Sequence, residues 1–481
     1  MNKFYITTPI FYPNSKLHLG HAYVTILADI FNRYHKAIGD ATYFVTGADE
    51  HSIKVVKSAE KANESVEVYT QKIATGFKEL FNNLSVEYDY FVRTSDKNTH
   101  WDGAIKLWNK LIEKGDIYKK KYSGKYCIGC ESFIKNSDLI NGFCPFHDEI
   151  PQIVEEENYF FRLSKYQDQL LELISQGVVN VMSDSSREEV ISFIRGGLLD
   201  VSFSRPITTN SWAIPIPEDP EQGMYVWCDA LSSYITSIGY ASDSEKFNTY
   251  WPADCHLIGK DILRFHAVTW IAMLLSADLP LPKNIIVHGL LLSDGRKMSK
   301  TLGNVINPEL LIEKYGSEML RYFFARHVPI FSDGEISVEL FNEACKSNLL
   351  NGLGNLVSRV LGMAIMYGSN IERGPAFLGV ISNSEYAWYK EYFDSFQINQ
   401  VTNKIWELIS GLDKKITVDE PFKVARLDRE SAKEMVNSYL VQVWNITQLL
   451  KPILPKTVQK IESAFDKKEK VLIFDKSIFE K

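Results

Sequence analysis

Two short runs carry residue types suited to phosphate. His18-Leu19-Gly20-His21 follows a strand signal and a Pro/Asn turn, and opens a helix. The histidines are three apart, so they share one face near a helix N-terminus. There the partial positive charge and free N–H groups favour phosphate. Two imidazoles add N–H donors for phosphoryl oxygens, and Gly20 removes a side chain where a base or ribose comes close. Alone, the run reads equally well as two surface histidines beside a turn glycine. The second run, Lys297-Met298-Ser299-Lys300-Thr301, follows a strand ending near His288 and a turn at Asp294-Gly295. Two lysines three apart suit a developing pyrophosphate, as point charges on the transition state. By itself a basic loop is more often a solvated turn.

A third constellation is Cys127-Ile128-Gly129-Cys130 and Cys144-Pro145-Phe146-His147, with thirteen residues between. Each half is a short knuckle able to aim two ligands at one ion. Three thiolates and one imidazole make a closed tetrahedral Zn²⁺ shell with no position for water, so the ion is expected to be structural. The competing reading is a chance cluster of reduced cysteines.

Together, H-x-G-H near the N-terminus and K-M-S-K-[ST] near residue 300 resemble the signature pair of class I aminoacyl-tRNA synthetases. The runs Thr7-Thr8-Pro9-Ile10-Phe11-Tyr12-Pro13-Asn14, Gly47-Ala48-Asp49-Glu50-His51, Tyr225-Val226-Trp227-Cys228-Asp229-Ala230 and Ile258-Gly259-Lys260-Asp261-Ile262, with Phe265-His266, look like the methionyl-tRNA synthetase family. The resemblance covers nearly the whole chain in order and spacing. It departs slightly at Thr301, usually Ser in the family, where the hydroxyl is kept.

The resemblance implies a methionine–tRNA ligase, with ATP, L-methionine and tRNA(Met) as partners and Mg²⁺ accompanying ATP. His18, Gly20 and His21 match the triphosphate site, Gly259 and Asp261 the ribose site, and Lys297 and Lys300 the groups that stabilise the leaving pyrophosphate. Tyr12, Trp227, Ala230, Tyr234, Ile262 and His266 match the methionine pocket, which Pro9, Ile10 and Leu231 also line. Aromatic walls attract a thioether sulfur, and Tyr12 and His266 are expected to hydrogen-bond it. Asp49 matches the carboxylate that holds the substrate ammonium, and Arg205 the arginine that orients that carboxylate. The resemblance further makes Cys127, Cys130, Cys144 and His147 the ligands of one zinc. Asn355, Arg359 and Phe422 match the anticodon readers, Phe422 standing where the family usually has Trp.

Three rivals are weaker. Synthetases for Ile, Val or Leu resemble one another in a large editing insertion, which the chain lacks. A simple nucleotidyltransferase is shorter and has no helical C-terminal third. An inactive RNA-binding relative has no reason to keep His18, His21, Lys297, Lys300 and Asp49.

These residues need a scaffold, and the pattern supplies an α/β one. Phe4–Thr8, Ala41–Thr46, His256–Gly259 and Asn284–His288 read as strands; Leu19 to about Ile38, Asn63–Phe81 and Asp261–Leu275 read as helices. That order predicts a Rossmann-type parallel sheet, split between residues 1–115 and 201–325. Residues 116–200, with Lys-rich turns and the cysteines, read as an insertion. Residues 326–345 read as a linker or stem-contact segment. Asn348–Tyr367, Glu385–Gly411 and Lys433–Leu450 are helical by period, predicting an all-α anticodon-binding bundle over 346–481.

The 481 residues are 45% hydrophobic and 23% charged, an ordinary globular composition. With 53 basic and 60 acidic residues the net charge is −7, which excludes a DNA-coating field. Residues 346–481 alone hold 19 basic and 16 acidic side chains, a balance of +3, so RNA is better received there. No uninterrupted apolar run suggests a membrane span. Neither a signal nor a transit peptide precedes the first strand, so a cytosolic monomer is expected.

Overall fold

The computed structural model describes residues 2–127, 132–134, 136–145, 149–293, 295–297 and 306–475. Its centre is a six-stranded parallel sheet in the order Tyr90–Arg93, Ala41–Ala48, Lys3–Phe11, Cys255–Gly259, Asn284–His288, Asn180–Met182. Strand order reverses between Lys3–Phe11 and Cys255–Gly259. An open α/β sheet receives ligands at such a switch point, outside the carboxyl ends of the strands. The Leu19–Ala37 helix begins just beyond the first of these ends, and thirteen of its nineteen residues are buried. It is therefore a core helix whose N-terminus faces the crevice.

Two expected boundaries move. Residues 116–200 are not all insertion, because Asn180–Met182 pairs in parallel with Asn284–Ile286 in the main sheet. The insertion proper is a four-stranded antiparallel sheet, built mainly from Ile117–Cys127 against Gln152–Phe161. Its lysines lie on a strand rather than in turns, with Lys121 opposite Glu157. Residues 326–345 are also more than a linker. Gly334–Glu335 adds a strand beside Leu291–Leu292, which in turn pairs with Arg296–Lys297. Helix breaks differ as well. Asn63 is left-handed and ends the Ile53–Ala62 helix before Val66–Asn83 begins. Phe396, at φ 57°, divides the expected 385–411 helix into Ala387–Asp394 and Ile398–Asp419. The helical stretch after Asp261 is assembled from 3₁₀, π and α turns.

The C-terminal helices pack on the back of the Leu19–Ala37 helix, not at a distance from it. Tyr34 stacks on Phe393 at 4.0 Å, and Phe31 meets Phe396 at 5.0 Å. Arg321, fully buried, pairs with buried Asp29 at 2.7 Å and donates to the carbonyls of Pro452 and Ile453. Among the described residues one helical stretch, Val338–Tyr367, is long and apolar enough to span a membrane by length and composition. Leu349, Leu353, Leu356 and Val360 on it are buried in the bundle, which accounts for that apolarity.

Candidate active site

His18 and His21 form a reciprocal cap on the Leu19–Ala37 helix. His18 Nδ1 accepts from the Gly20 N–H at 3.1 Å, and the His18 N–H donates to His21 Nδ1 at 3.0 Å. This is the capping-box arrangement, with imidazoles where Ser/Thr and Glu/Gln usually stand. Because both Nδ1 atoms accept, each ring carries its proton on Nε2. Burial, with His18 and His288 nearby, holds the His21 pKa well below the ordinary histidine value, so His21 is neutral at pH 7. The rings lie 3.7 Å apart. A Cβ at Gly20 would sit 3.0 Å from the His18 ring, a tight approach that the ring would have to yield to.

Across the crevice, the Val226–Thr236 helix presents Trp227, Ala230, Leu231 and Tyr234 on one face, at spacings of three and four. Trp227 stacks on Phe265 at 3.9 Å and 5°. Its buried Nε1–H has no partner among the described residues. Tyr234 Oη lies 2.7 Å from His266 Nε2, and His266 Nδ1 lies 2.9 Å from the Ile262 carbonyl. A carbonyl only accepts, so Nδ1 carries the proton and Nε2 accepts from the tyrosine hydroxyl. Burial lowers the His266 pKa to about 4, which keeps this neutral form at pH 7. Both ring nitrogens are thus engaged. A hydrogen bond from His266 to a thioether, as expected from the sequence, would have to displace the Tyr234 hydroxyl and move the ring proton to Nε2. Ile262 is half-buried beside it.

Pro9 and Ile10 sit where the first strand slips register against Ala41–Ala48, between Thr7 and Ile10, which re-aims the strand end at the crevice. Tyr12 is half-buried under the Lys54 ammonium, 5.0 Å from its ring. Asp49 is buried just past the second strand, its N–H on the Phe11 carbonyl at 2.9 Å. Arg205 is buried too, donating to Ser202 Oγ at 2.6 Å and the Ser204 carbonyl at 2.7 Å. Its guanidinium lies between the rings of Tyr126 and Tyr225. Gly259 ends its strand with the Asp261 carboxylate 2.8 Å from where a Cβ would be, and Asp261 is exposed.

The strand ends thus carry an imidazole-capped helix N-terminus on one side and a set of packed aromatic and apolar side chains on the other. A model of the family "tRNA synthetases class I (M)" matches residues 4–149 and 134–361. The chain is 40% identical over 471 residues to the methionine–tRNA ligase of Caldanaerobacter subterraneus subsp. tengcongensis, covering 95% of this chain and 73% of that protein. It is 38% identical over 475 residues to the methionine–tRNA ligase of Thermotoga maritima, covering 95% and 74%. The chain belongs to the methionyl-tRNA synthetases. Among solved structures, the Mycobacterium tuberculosis methionyl-tRNA synthetase in complex with methionyl-adenylate superposes with a TM-score of 0.90 at 35% identity, over 96% of this chain and 93% of that one. The free-state form of the same protein gives 0.81 at 32% identity, over 96% and 91%.

In this synthetase the second signature is only partly described. Arg296–Lys297 pairs with Leu292–Ser293 around Gly295, whose φ is +67° and whose N–H meets the Glu335 carboxylate at 3.2 and 3.3 Å. Lys300 and Thr301 lie outside the described residues. So do Cys130 and His147; Cys127 and Cys144 are described and buried. In the bundle, Asn355 is exposed and Arg359 half-exposed, on the stripe opposite buried Leu353, Leu356 and Val360. Arg359 pairs with Asp413 at 3.1 Å. Phe422 is 48% exposed, free enough to stack on a base. Sequence reasoning assigned no role to one buried cluster beside the pocket. Asp229 takes hydrogen bonds from His51 Nδ1 at 2.6 Å and His100 Nε2 at 2.5 Å. His51 and Asp229 sit inside family-like runs, whereas His100 carried no signal.

Proposed function

We propose that the chain activates L-methionine with ATP and transfers the methionyl group to tRNA(Met), using the residues gathered at the switch point. The carrying observation is the convergence there of the imidazole cap and the Trp227–Tyr234 pocket. In this reading a methionine carboxylate oxygen attacks the α-phosphorus in line, and the bond to pyrophosphate breaks. The Nε2–H groups of His18 and His21 hold phosphoryl oxygens, and Lys297 and Lys300 offset charge on the leaving group. Asp49 takes the ammonium and Arg205 steadies that carboxylate. The hydroxyl of the terminal tRNA ribose then attacks the methionyl carbonyl, and AMP leaves. No protein nucleophile is required; catalysis is positioning plus charge stabilisation. Mg²⁺ with ATP would neutralise phosphate charge. The proposed site of action is the cytosol.

Methionine-dependent exchange of label between pyrophosphate and ATP tests the reading. Equal exchange with leucine would overturn the substrate assignment.

Asn355 and Arg359, with Phe422 stacking, are proposed to read the anticodon, because loop bases are splayed and read on their edges. Replacing Arg359 with Ala is expected to weaken tRNA charging by about 1–3 kcal/mol if the contact is bidentate. Adenylate formation should stay unchanged. Equal losses in both reactions would make Arg359 structural.

A zinc ion is proposed on Cys127, Cys130, Cys144 and His147. Two of these, Cys127 and Cys144, are buried thiols at the tip of the inserted sheet, which suits a thiolate-rich structural site. Among the described residues no group of three potential ligands occurs, since the other two lie outside them. The ion would crosslink the tip and take no part in the reaction. Cys144→Ser should lose the metal and loosen the insertion. Metal analysis finding less than about one zinc per chain in native protein would count against the site.

A further inference from the structure

The pocket helix carries a second buried stripe on its opposite side. Asp229, Ser232, Ser233 and Thr236 follow one another at spacings of three and four, and all are buried. Asp229 stands about 200° around the helix from Trp227, behind the pocket face rather than on it. Its carboxylate, 1% exposed, is gripped from two sides. His51 belongs to the loop that carries Asp49, two residues earlier. His100 belongs to the Lys97–Trp101 turn, and its Nδ1 lies 2.8 Å from Thr236 Oγ1 on the same helix. The loop is otherwise pinned along its own side of the crevice. Arg93 holds Glu50 at 2.8 Å, Thr94 Oγ1 accepts from the Glu50 N–H, and Asn210 donates to the His51 carbonyl. The His51 side chain reaches from the loop to the helix.

We infer that the His51–Asp229–His100 cluster is a positioning device that fixes the span between the ammonium end and the thioether end of the methionine site. The inference rests on the methionine reading above. Apolar packing is non-directional and lets a helix slide by fractions of an ångström against its neighbour. Two short hydrogen bonds to a buried carboxylate do not, because an ionised carboxylate only accepts and each donor must stay in line. That the Asp229 carboxyl is pulled down to about 2 in spite of burial agrees with an ionised acceptor held by its donors. A ligand that uses both ends of the site depends on their spacing; a ligand that uses one end does not. A misplacement of about 1 Å is costly to a bound, oriented substrate.

The test uses Asp229→Asn, His51→Ala and His51→Asn in the full chain, with methionine-dependent pyrophosphate exchange as the assay. Two inhibitors divide the site. Methioninol keeps both ammonium and thioether, whereas 4-(methylthio)butanoate keeps the thioether and lacks the ammonium. Asp229→Asn and His51→Ala should raise the methionine KM and the methioninol inhibition constant about ten- to a hundredfold. The ATP KM and the inhibition constant of 4-(methylthio)butanoate should move less than about twofold. His51→Asn keeps a donor where Nδ1 stood and should restore the methionine KM to within about threefold. Equal weakening of both inhibitors would mean that the cluster merely holds the pocket together, and overturns the inference. An unchanged methionine KM in His51→Ala overturns it as well, and that variant serves if Asp229→Asn fails to fold. Absence of methionine-dependent exchange in the unmutated chain overturns the underlying reading instead, a result distinct from either.

Discussion

Replacing Lys300 with alanine is expected to slow methionyl-adenylate formation by about two to three orders of magnitude, the usual cost of removing one donor from a developing anion. Methionine binding should be nearly intact, because the charge matters when pyrophosphate departs and not before. The residue lies outside the described segment, but its approach is built. The hairpin ending at Lys297 turns at left-handed Gly295, is held by Glu335 and pairs with Gly334–Glu335. That anchoring fixes the backbone of Arg296–Lys297 shortly after the end of the Asn284–His288 strand. Single-turnover adenylation separates the possibilities. An unchanged rate would remove Lys300 from the chemistry, and a loss confined to methionine affinity would make it a binding residue.

Arg321→Ala is expected to cost up to about 3–5 kcal/mol of stability, since it takes one of two cations from a buried carboxylate. It also strands the carbonyls of Leu84, Pro452 and Ile453, which Arg321 serves at 3.4, 3.2 and 2.8 Å. Asp29 keeps Arg33 at 2.7 Å and the Glu87 N–H at 2.8 Å, which moderates the loss. In a chain of this size the melting temperature should fall by about 3–5 °C, with adenylation at 25 °C largely retained. A melt superimposable on the unmutated protein would show that the pair adds nothing beyond an apolar replacement.

What could be read from the sequence was local. Strand–helix–strand alternation placed His18 and Gly259 each at the end of a strand, because hydrophobic period and turn residues act over a dozen positions, but not that the two strands are neighbours. The strand Asn180–Met182 was missed for the opposite reason: three residues show no period, and its partner Asn284–Ile286 lies a hundred residues on. π turns such as Cys345–Gly354 escape the same way, since a wider turn shifts the apolar stripe only slightly. The cap between His18 and His21 follows from their spacing, but not which nitrogen carries the proton; that depends on the backbone N–H groups each ring meets. Arg321 within Ser317–His327 looks like any surface cation until Asp29 is brought against it. The Tyr234–His266 pair was not legible, because Tyr234 is 32 residues away in sequence and 2.7 Å away in space.

The contact between the Leu19–Ala37 helix and the C-terminal helices bears on how the enzyme can be handled. Phe31 and Tyr34 are 0% exposed because Phe393 and Phe396 cover them. A fragment trimmed to the catalytic half would present both rings to water, together with the cation of Arg321 robbed of the Pro452 and Ile453 carbonyls. Such a truncate should clump in the test tube rather than serve as a minimal reagent. A shortened enzyme would first need that face repainted: Phe31 and Tyr34 exchanged for polar side chains, and Arg321 and Asp29 replaced together rather than singly.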